Sequence, residues 1–376
     1  MMSRSLVFVL AVLALYLPVA SASYHGPKKF DFLPVQSQKQ FSGLNINTCN
    51  ATYALYTAAY EASDNWVLLA GTCGKHQRCL LENTDENAKA YISSSALLIG
   101  FTPMLLSNVA PTISELGLIS LNRPILSILL SMGTAAVYPT RVMSYSDDAL
   151  QDILTKDPMF PAAIVGAIQN QRWLRNMISV TQYFLVMAAV VNIISTAWEL
   201  GKGTVLTFQC QISYIPVLWT LFPLVIRIPS TLALRFSARR ANRLSILYPD
   251  VSRAATTGFW AKETALSFMH DPLQDELLGP NITASLLLII AGSLAFVHAI
   301  FGILLFSSLL FGMIMDILVM LLRFLASVLV CRAVILLELQ GMRWVAFKDR
   351  EERRQNSNEM QEENQVSISF GKTCHY

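Results

Sequence analysis

The chain has 376 residues, of which 53% are hydrophobic and 14% charged, with a mean hydropathy of +0.46 and a formal net charge of +3. Soluble domains carry about 25% charged residues, so an ordinary water-soluble fold is excluded. The basic residues are scattered and form no zinc-finger or RNA-recognition pattern, which argues against a nucleic-acid partner.

Residues 1–22 read as a secretory signal peptide. Arg4 supplies the positive start, Leu6–Leu17 an apolar run shorter than a span, and Ala20-Ser21-Ala22 the small-residue cleavage site. The alternative is an uncleaved first anchor. Residues 23–90 are polar and aromatic and should form a small lumenal or extracellular domain. It holds Cys49, Cys73 and Cys79, disulfide candidates in an oxidising compartment, and the sequon Asn50-Ala51-Thr52, a glycosylation candidate. Tyr53, Tyr56 and Tyr60 predict a helix packed under a bridge. A metal site built on Cys73, His76 and Cys79 is disfavoured, because the spacing is wrong and one His is too few.

The membrane domain is expected over 91–339. Its first span is about 91–109, kinked at Pro103. Pro111–Arg123 is amphipathic and is expected along the interface. Pro124–Val137 is apolar but short, so 124–137 reads as a re-entrant or short segment. Tyr138–Asn176 is a polar loop whose acids (Asp147, Asp148, Asp152, Asp157) lack the calcium-loop ladder. The second span, about 177–198, carries Gln182 and Asn192, which should face other helices. The third, about 212–228, holds Pro216 and Pro223; kinked helices line some transport paths but are common in ordinary bundles too. Ser230–Asn281 reads as a loop opening with Arg235, Arg239, Arg240 and Arg243, a basic cluster that marks the cytosolic side and attracts anionic headgroups.

The block Thr283–Leu339 is too long for one crossing and predicts spans of about 283–306 and 313–338. Ala291, Ala295, Ala299 and Gly302 make a small-residue stripe suited to close helix packing. His298, Asp316 and Arg323 are the intramembrane polar candidates, with Gln182 and Asn192. Asp316 is expected at a lumenal turn, Arg332 to snorkel to the opposite surface, and Arg323 to pair with Asp316 or with carbonyls. Residues 340–376 form a charged cytosolic tail, expected to be disordered or marginally helical. Its terminal Cys374-His-Tyr is one residue short of a prenylation box.

Charge decides between five and six spans. With a lumenal N-terminus, a true crossing at 124–137 would place sixteen basic residues, from Arg141 to Lys372, on the wrong side of the membrane. If that segment turns back, all sixteen face the cytosol, the Asn281 sequon goes unused, and Cys210 joins the three lumenal cysteines to make an even set. The expectation is therefore an all-α polytopic bundle with five spans favoured, N-terminus out and C-terminus in.

The stretches CNATYALYTAAYEASDNWVLLAGTCGKHQRC and LGLISLNRPILSILLSMGTAAVYPTR resemble a group of multi-pass membrane proteins of filamentous fungi with no assigned activity. That resemblance implies fold and membrane location only. No zincin, nucleophile-elbow, phosphate-loop or dinucleotide pattern occurs, and the five His residues show no ligand spacing. No enzyme activity, cofactor or metal is expected. The leading expectation is a receptor-like, sensor or scaffold protein of the secretory pathway, destined for the plasma membrane. Its partners would be the lipid bilayer and proteins meeting the 230–281 loop and the tail. The alternative is a transporter or channel using the Pro216/Pro223 helix and the Asp316/Arg323 face, with an intramembrane enzyme third.

Overall fold

A computed structural model describes residues 28–30, 35–62, 66–138, 159, 161–204, 213–247, 259–270, 282–309 and 312–373. The expected signal peptide, Cys210, Asn281, Cys374 and the acids of the 138–176 loop lie outside these residues. Among them the chain is all-α, without a strand. Five helices are long and apolar enough to cross a membrane: Glu86–Val109, Arg172–Gly203, Ile215–Ala238, Ile282–Ser307 and Ile314–Asn358. The protein is a multi-pass membrane protein. Pro124–Gly133, of 10 residues, is an apolar helix of about 15 Å, half of what the hydrocarbon core requires. It is not among the five.

The chain divides into two compact units. The first comprises Met1–Leu105, Asn192–Thr220 and Ala299–Leu325. Its N-terminal part is built from α1 (Val35–Gly43, running into a π-helical turn, Leu44–Thr48), α2 (Asn50–Glu61) and α3 (Trp66–Glu82). Tyr53, Tyr56 and Tyr60 recur at helical spacing and turn one aromatic face of α2 inward, where Tyr56 is buried. Phe30, Phe41, Leu69, Leu80 and Ile92 complete that core. Cys49, just before α2, is bridged to Cys79 on α3. Cys73 is also disulfide-bonded. Within the same unit Gly302 lies so close to Trp219 that an added Cβ would sit 2.5 Å from the indole nitrogen. At Gly302 the small side chain thus serves close packing.

The second unit comprises Leu106–Val191, Leu221–His298 and Ala326–Tyr376. At its centre are α5 (Ile113–Asn122) and α6 (Pro124–Gly133), which follow the end of α4 (Glu86–Val109). A capping box starts α5: Thr112 accepts from the Glu115 amide while the Glu115 carboxylate accepts from the Thr112 amide. Pro124 ends it, because the residue before a proline is pushed out of helical geometry, and Arg123 has φ −127° and ψ 74°. The Tyr138 amide donates to the Pro111 carbonyl at 3.0 Å and closes the hairpin. Ile113–Ser120 is buried throughout. The expected interfacial position for Pro111–Arg123 is therefore corrected: both short helices are interior, packed with Ile226, Leu234, Leu288, Ala291 and Ile335.

The remaining elements are α7 (Ala162–Asn170), α8 (Arg172–Gly203), α9 (Ile215–Leu221), α10 (Pro223–Leu247), α11 (Phe259–Thr264), α12 (Ile282–Ser307) and α13 (Ile314–Thr373). The third span breaks at Phe222, where Pro223 supplies no amide to continue the ladder. The segment expected to begin a loop at Ser230 instead continues α10 to Leu247, with Pro229 accommodated inside it. The charged tail likewise stays helical to Thr373. Extending an existing helix adds one hydrogen bond per residue and avoids the unfavourable nucleus, so a polar segment persists where it would not start by itself.

Candidate functional site

The second unit contains a hydrogen-bonded cluster of buried charge centred on Arg123. The break before Pro124 projects this side chain from the hairpin, where it is fully buried. Its Nη1 donates to Glu338 Oε1 and to Gln182 Oε1, each at 2.6 Å. Nη2 donates to Ser179 Oγ at 2.9 Å, and Nε to the Glu263 carbonyl at 2.9 Å. The guanidinium lies 5.2 Å from the Tyr183 ring centroid, a cation–π distance. Glu338 on α13 is itself 1% exposed. Its Oε1 also accepts from Gln182 Nε2 at 2.6 Å, and its Oε2 accepts from the Ser267 amide at 3.2 Å and from the Ser267 hydroxyl.

Glu263 on α11 plugs into the same cluster. Its Oε1 accepts from the Leu126 amide at 2.9 Å and from the Tyr183 hydroxyl at 2.6 Å. The Leu126 amide is one of the donors at the start of α6 that have no partner within the helix, so the carboxylate acts as a cap supplied from another segment. Two neighbouring arrangements extend the polar zone. Arg227 donates to Ser127 Oγ at 2.9 Å and to the Pro124 carbonyl at 3.1 Å. Arg332 pairs with Glu115.

An isolated charge cannot remain in such an interior: Arg123 and Glu338 are paired and multiply hydrogen-bonded, and Arg332 is paired with Glu115. Glu263 and Arg227 are hydrogen-bonded to neutral groups, with Glu263 Oε2 left without a hydrogen-bond partner. The result is a lock: α5, α6, α8, α11 and α13 are held in one register by groups that are costly to separate. Among the described residues no group of three or more His, Cys, Asp or Glu is placed to hold a metal.

The sequence-derived candidates divide clearly. Gln182 belongs to the Arg123 cluster. Asn192 meets Arg323 in the first unit, where Arg323 Nε donates to Asn192 Oδ1 at 3.2 Å, Nη2 to Ser195 Oγ at 3.0 Å, and Nη1 to Glu199. Asp316, in the first turn of α13, accepts from the Ser37 amide and hydroxyl at 3.3 and 3.0 Å. The anticipated Asp316–Arg323 pairing gives way to these separate partners, each supplied by another helix of the first unit. Arg332, expected to snorkel, is turned to buried Glu115 instead. His298 is buried and stacks on Phe222 at 5.3 Å. Asn50 is exposed at the start of α2.

Arg123, Glu263 and Glu338 were not singled out from the sequence. A signal for two of them exists: Glu338 is an acid inside VILLEL and requires a cation, and Arg123 is the only basic residue in the apolar stretch from Ile113 to Val137.

The N-terminal domain holds a second polar feature. His76 is fully buried among Phe30, Tyr53 and Tyr56, at centroid distances of 4.7, 5.4 and 6.5 Å. Its Nδ1 is 3.0 Å from Thr52 Oγ1, while Nε2 has no hydrogen-bond partner. Burial pushes the imidazole down to about 4. It also pushes the buried Lys29 ammonium down to about 7. Compared with known proteins, the chain matches no family model, no curated protein and no solved structure, and its sites are read from their own geometry.

Proposed function

We propose that the protein is a non-enzymatic, receptor-like membrane sensor or scaffold of the secretory pathway, resident in the plasma membrane. Its N-terminal domain faces outward and carries a glycan on Asn50, and its charged helix lies in the cytosol. The observation that carries this reading is α13. One uninterrupted helix of 60 residues begins at Asp316's turn, which Ser37 of the N-terminal domain holds, passes Glu338 in the Arg123 cluster, and continues as a charged rod to Thr373. The backbone of one continuous helix thereby joins the segment that Ser37 touches to the charged tail in sequence. The α11 segment adds a second connection, since Glu263 and Ser267 tie the region after α10 to that cluster. The positive-inside pattern of Arg235–Arg243 and Arg343–Arg354 supports the orientation.

The transporter reading keeps one specific support, the break of the third span between Pro216 and Pro223, since interrupted helices form many transport sites. The engaged states of Asp316, Arg323 and Arg123 favour the sensor reading over it. A spin label on Lys348 of the full-length protein in nanodiscs tests the choice. Ser37→Ala should alter the label's mobility or its distance to a second label on α11, and liposomes should show no solute or ion flux. Flux that disappears in Asp316→Asn or Arg323→Gln would overturn the proposal in favour of transport. A tail tag protected from protease in sealed microsomes, or a glycan on Asn281, would overturn the orientation.

A further inference from the structure

We propose that His76 is a proton-binding site through which acidification loosens the N-terminal domain and frees Ser37 from Asp316 at the head of α13. The proposal deepens the sensor reading by naming its signal, and rests on that reading only for the final step to α13.

The tautomer follows from the hydrogen bonds. Thr52 Oγ1 donates its single proton to the Cys49 carbonyl at 2.9 Å, so toward His76 it can only accept. Nδ1 therefore carries the imidazole proton and Nε2 bears a bare lone pair. That atom is buried and unpartnered. It is the place where a proton can be added, and the N–H so formed would find no acceptor.

The surroundings disfavour the resulting cation. The segment 28–30 brings Lys28, whose Nζ lies 5.7 Å from the Tyr53 centroid, and buried Lys29. The helix α2 brings the Tyr53, Tyr56 and Tyr60 rings, and its acid Glu61 is exposed. On α3 itself Lys75, Arg78 and Glu82 are exposed. On α4 Lys89 and Glu86 pair with each other at 2.7 Å toward solvent. The α1 sequence contributes Lys39 and no acid. Among the described residues of this domain no acid is buried, so none of them compensates a charge on His76. The aromatic faces offer some cation–π attraction, but burial outweighs it and holds the imidazole at about 4.

His76 also lies where its charging would be felt. Phe30, whose ring is edge-on to the imidazole, has φ +73°, a backbone strain that persists only while packing enforces it. Phe41 of α1 belongs to the same core, and Ser37 is on the same helix. Ser37 Oγ donates to Asp316 and accepts from the Met313 amide at 3.2 Å. Because the folded-state value lies below the ordinary 6.5, the unfolded chain takes up the proton first. Stability is thus complete above pH 6.5 and is lost as pH falls through about 4.

Hydrogen–deuterium exchange on the full-length protein in nanodiscs provides the test, with spectra taken between pH 7 and 4 and corrected for intrinsic exchange rates. Amides of α1 and α2 should show an opening equilibrium that rises by about 100-fold over this range. His76→Gln should cut the rise to less than about 10-fold, and Asp316→Asn, run in parallel, separates loss of the Ser37 contact from protonation of His76. An unchanged rise in His76→Gln would overturn the proposal. If that variant does not fold, a chain keeping only His76 among its five histidines is followed by imidazole nitrogen NMR. Titration near pH 4 supports the site, and titration near 6.5 overturns it. Acid loosening of α1 and α2 that leaves the head of α13 unchanged would keep the proton site and remove the sensor step.

Discussion

The N-terminal aromatic core and the Arg123 cluster hold buried ionisable groups by opposite means. Around His76 and Lys29 the described residues include buried bases and no buried acid, burial lowers the proton affinity of both bases, and the Cys49–Cys79 bridge fastens the helices. Around Arg123 the charges are kept: Arg123 pairs with Glu338 and Arg332 with Glu115, while Glu263 and Arg227 are hydrogen-bonded to neutral groups, and the network itself is the fastening. The difference follows from what each region can draw on. A small domain with few apolar contacts needs a covalent staple, and it can accommodate groups whose charge state responds to solvent. A bundle in lipid has no water to hydrate a lone charge, so its buried charges are held by opposite charges or by hydrogen bonds from neighbouring helices.

The sharpest way to break this contrast is to leave one charge of the bundle alone. Arg123→Met strands Glu338, and Glu338→Met strands Arg123; each should cost about 3–5 kcal/mol in a detergent unfolding titration. Arg123→Met with Glu338→Met should recover most of that loss, because the desolvation penalty of both charges disappears together. If the single and double variants are equally destabilised, the cluster is not a paired lock.

Next in size is the staple. The Cys49–Cys79 bridge closes a separation of 30 residues, and Cys49→Ser with Cys79→Ser should destabilise the N-terminal domain by about 3–4 kcal/mol. Exchange protection of α5 and α6 should be unchanged in that variant. A matching loss there would show that the two regions do not hold themselves independently.

Lys29 sharpens the comparison with the opposite sign. Its folded-state value of about 7 lies below the ordinary 10.5, so the domain gains stability as pH rises from 7 toward 10.5. Lys29→Met should flatten that alkaline slope, read from exchange protection of α1 and α2 between pH 7 and 10.5. A slope left intact in that variant would mean that another group titrates over this range.

The smallest effect is expected at Thr112. Thr112→Ala removes the side-chain half of the capping box that starts the Arg123 hairpin, and should lower bundle stability by about 1 kcal/mol, read from the unfolding midpoint. Thr112→Ser should retain it.

Much of the fold was legible because hydropathy is a local property. The apolar runs near 91–109, 177–198, 212–228, 283–306 and 313–338 reappear as the five long helices, and the shortness of 124–137 correctly kept it from being a sixth. The inward aromatic face of α2 was legible in the spacing of its tyrosines. The depth of α5 was not, because Glu115, Asn122 and Arg123 make it look amphipathic until Arg332 and Glu338 are seen to meet two of them.

By itself, then, the sequence determined that this is a multi-pass helical membrane protein with a cysteine-bearing N-terminal domain, since an apolar segment of sufficient length has no stable alternative to a helix in lipid. Partnership belonged to the tertiary structure. Arg123 and Glu338 are 215 residues apart, and Ser37 and Asp316 are 279 apart. Nothing in either neighbourhood names the other, because a buried charge specifies only the sign of what it needs. Which group supplies it is decided when the helices pack.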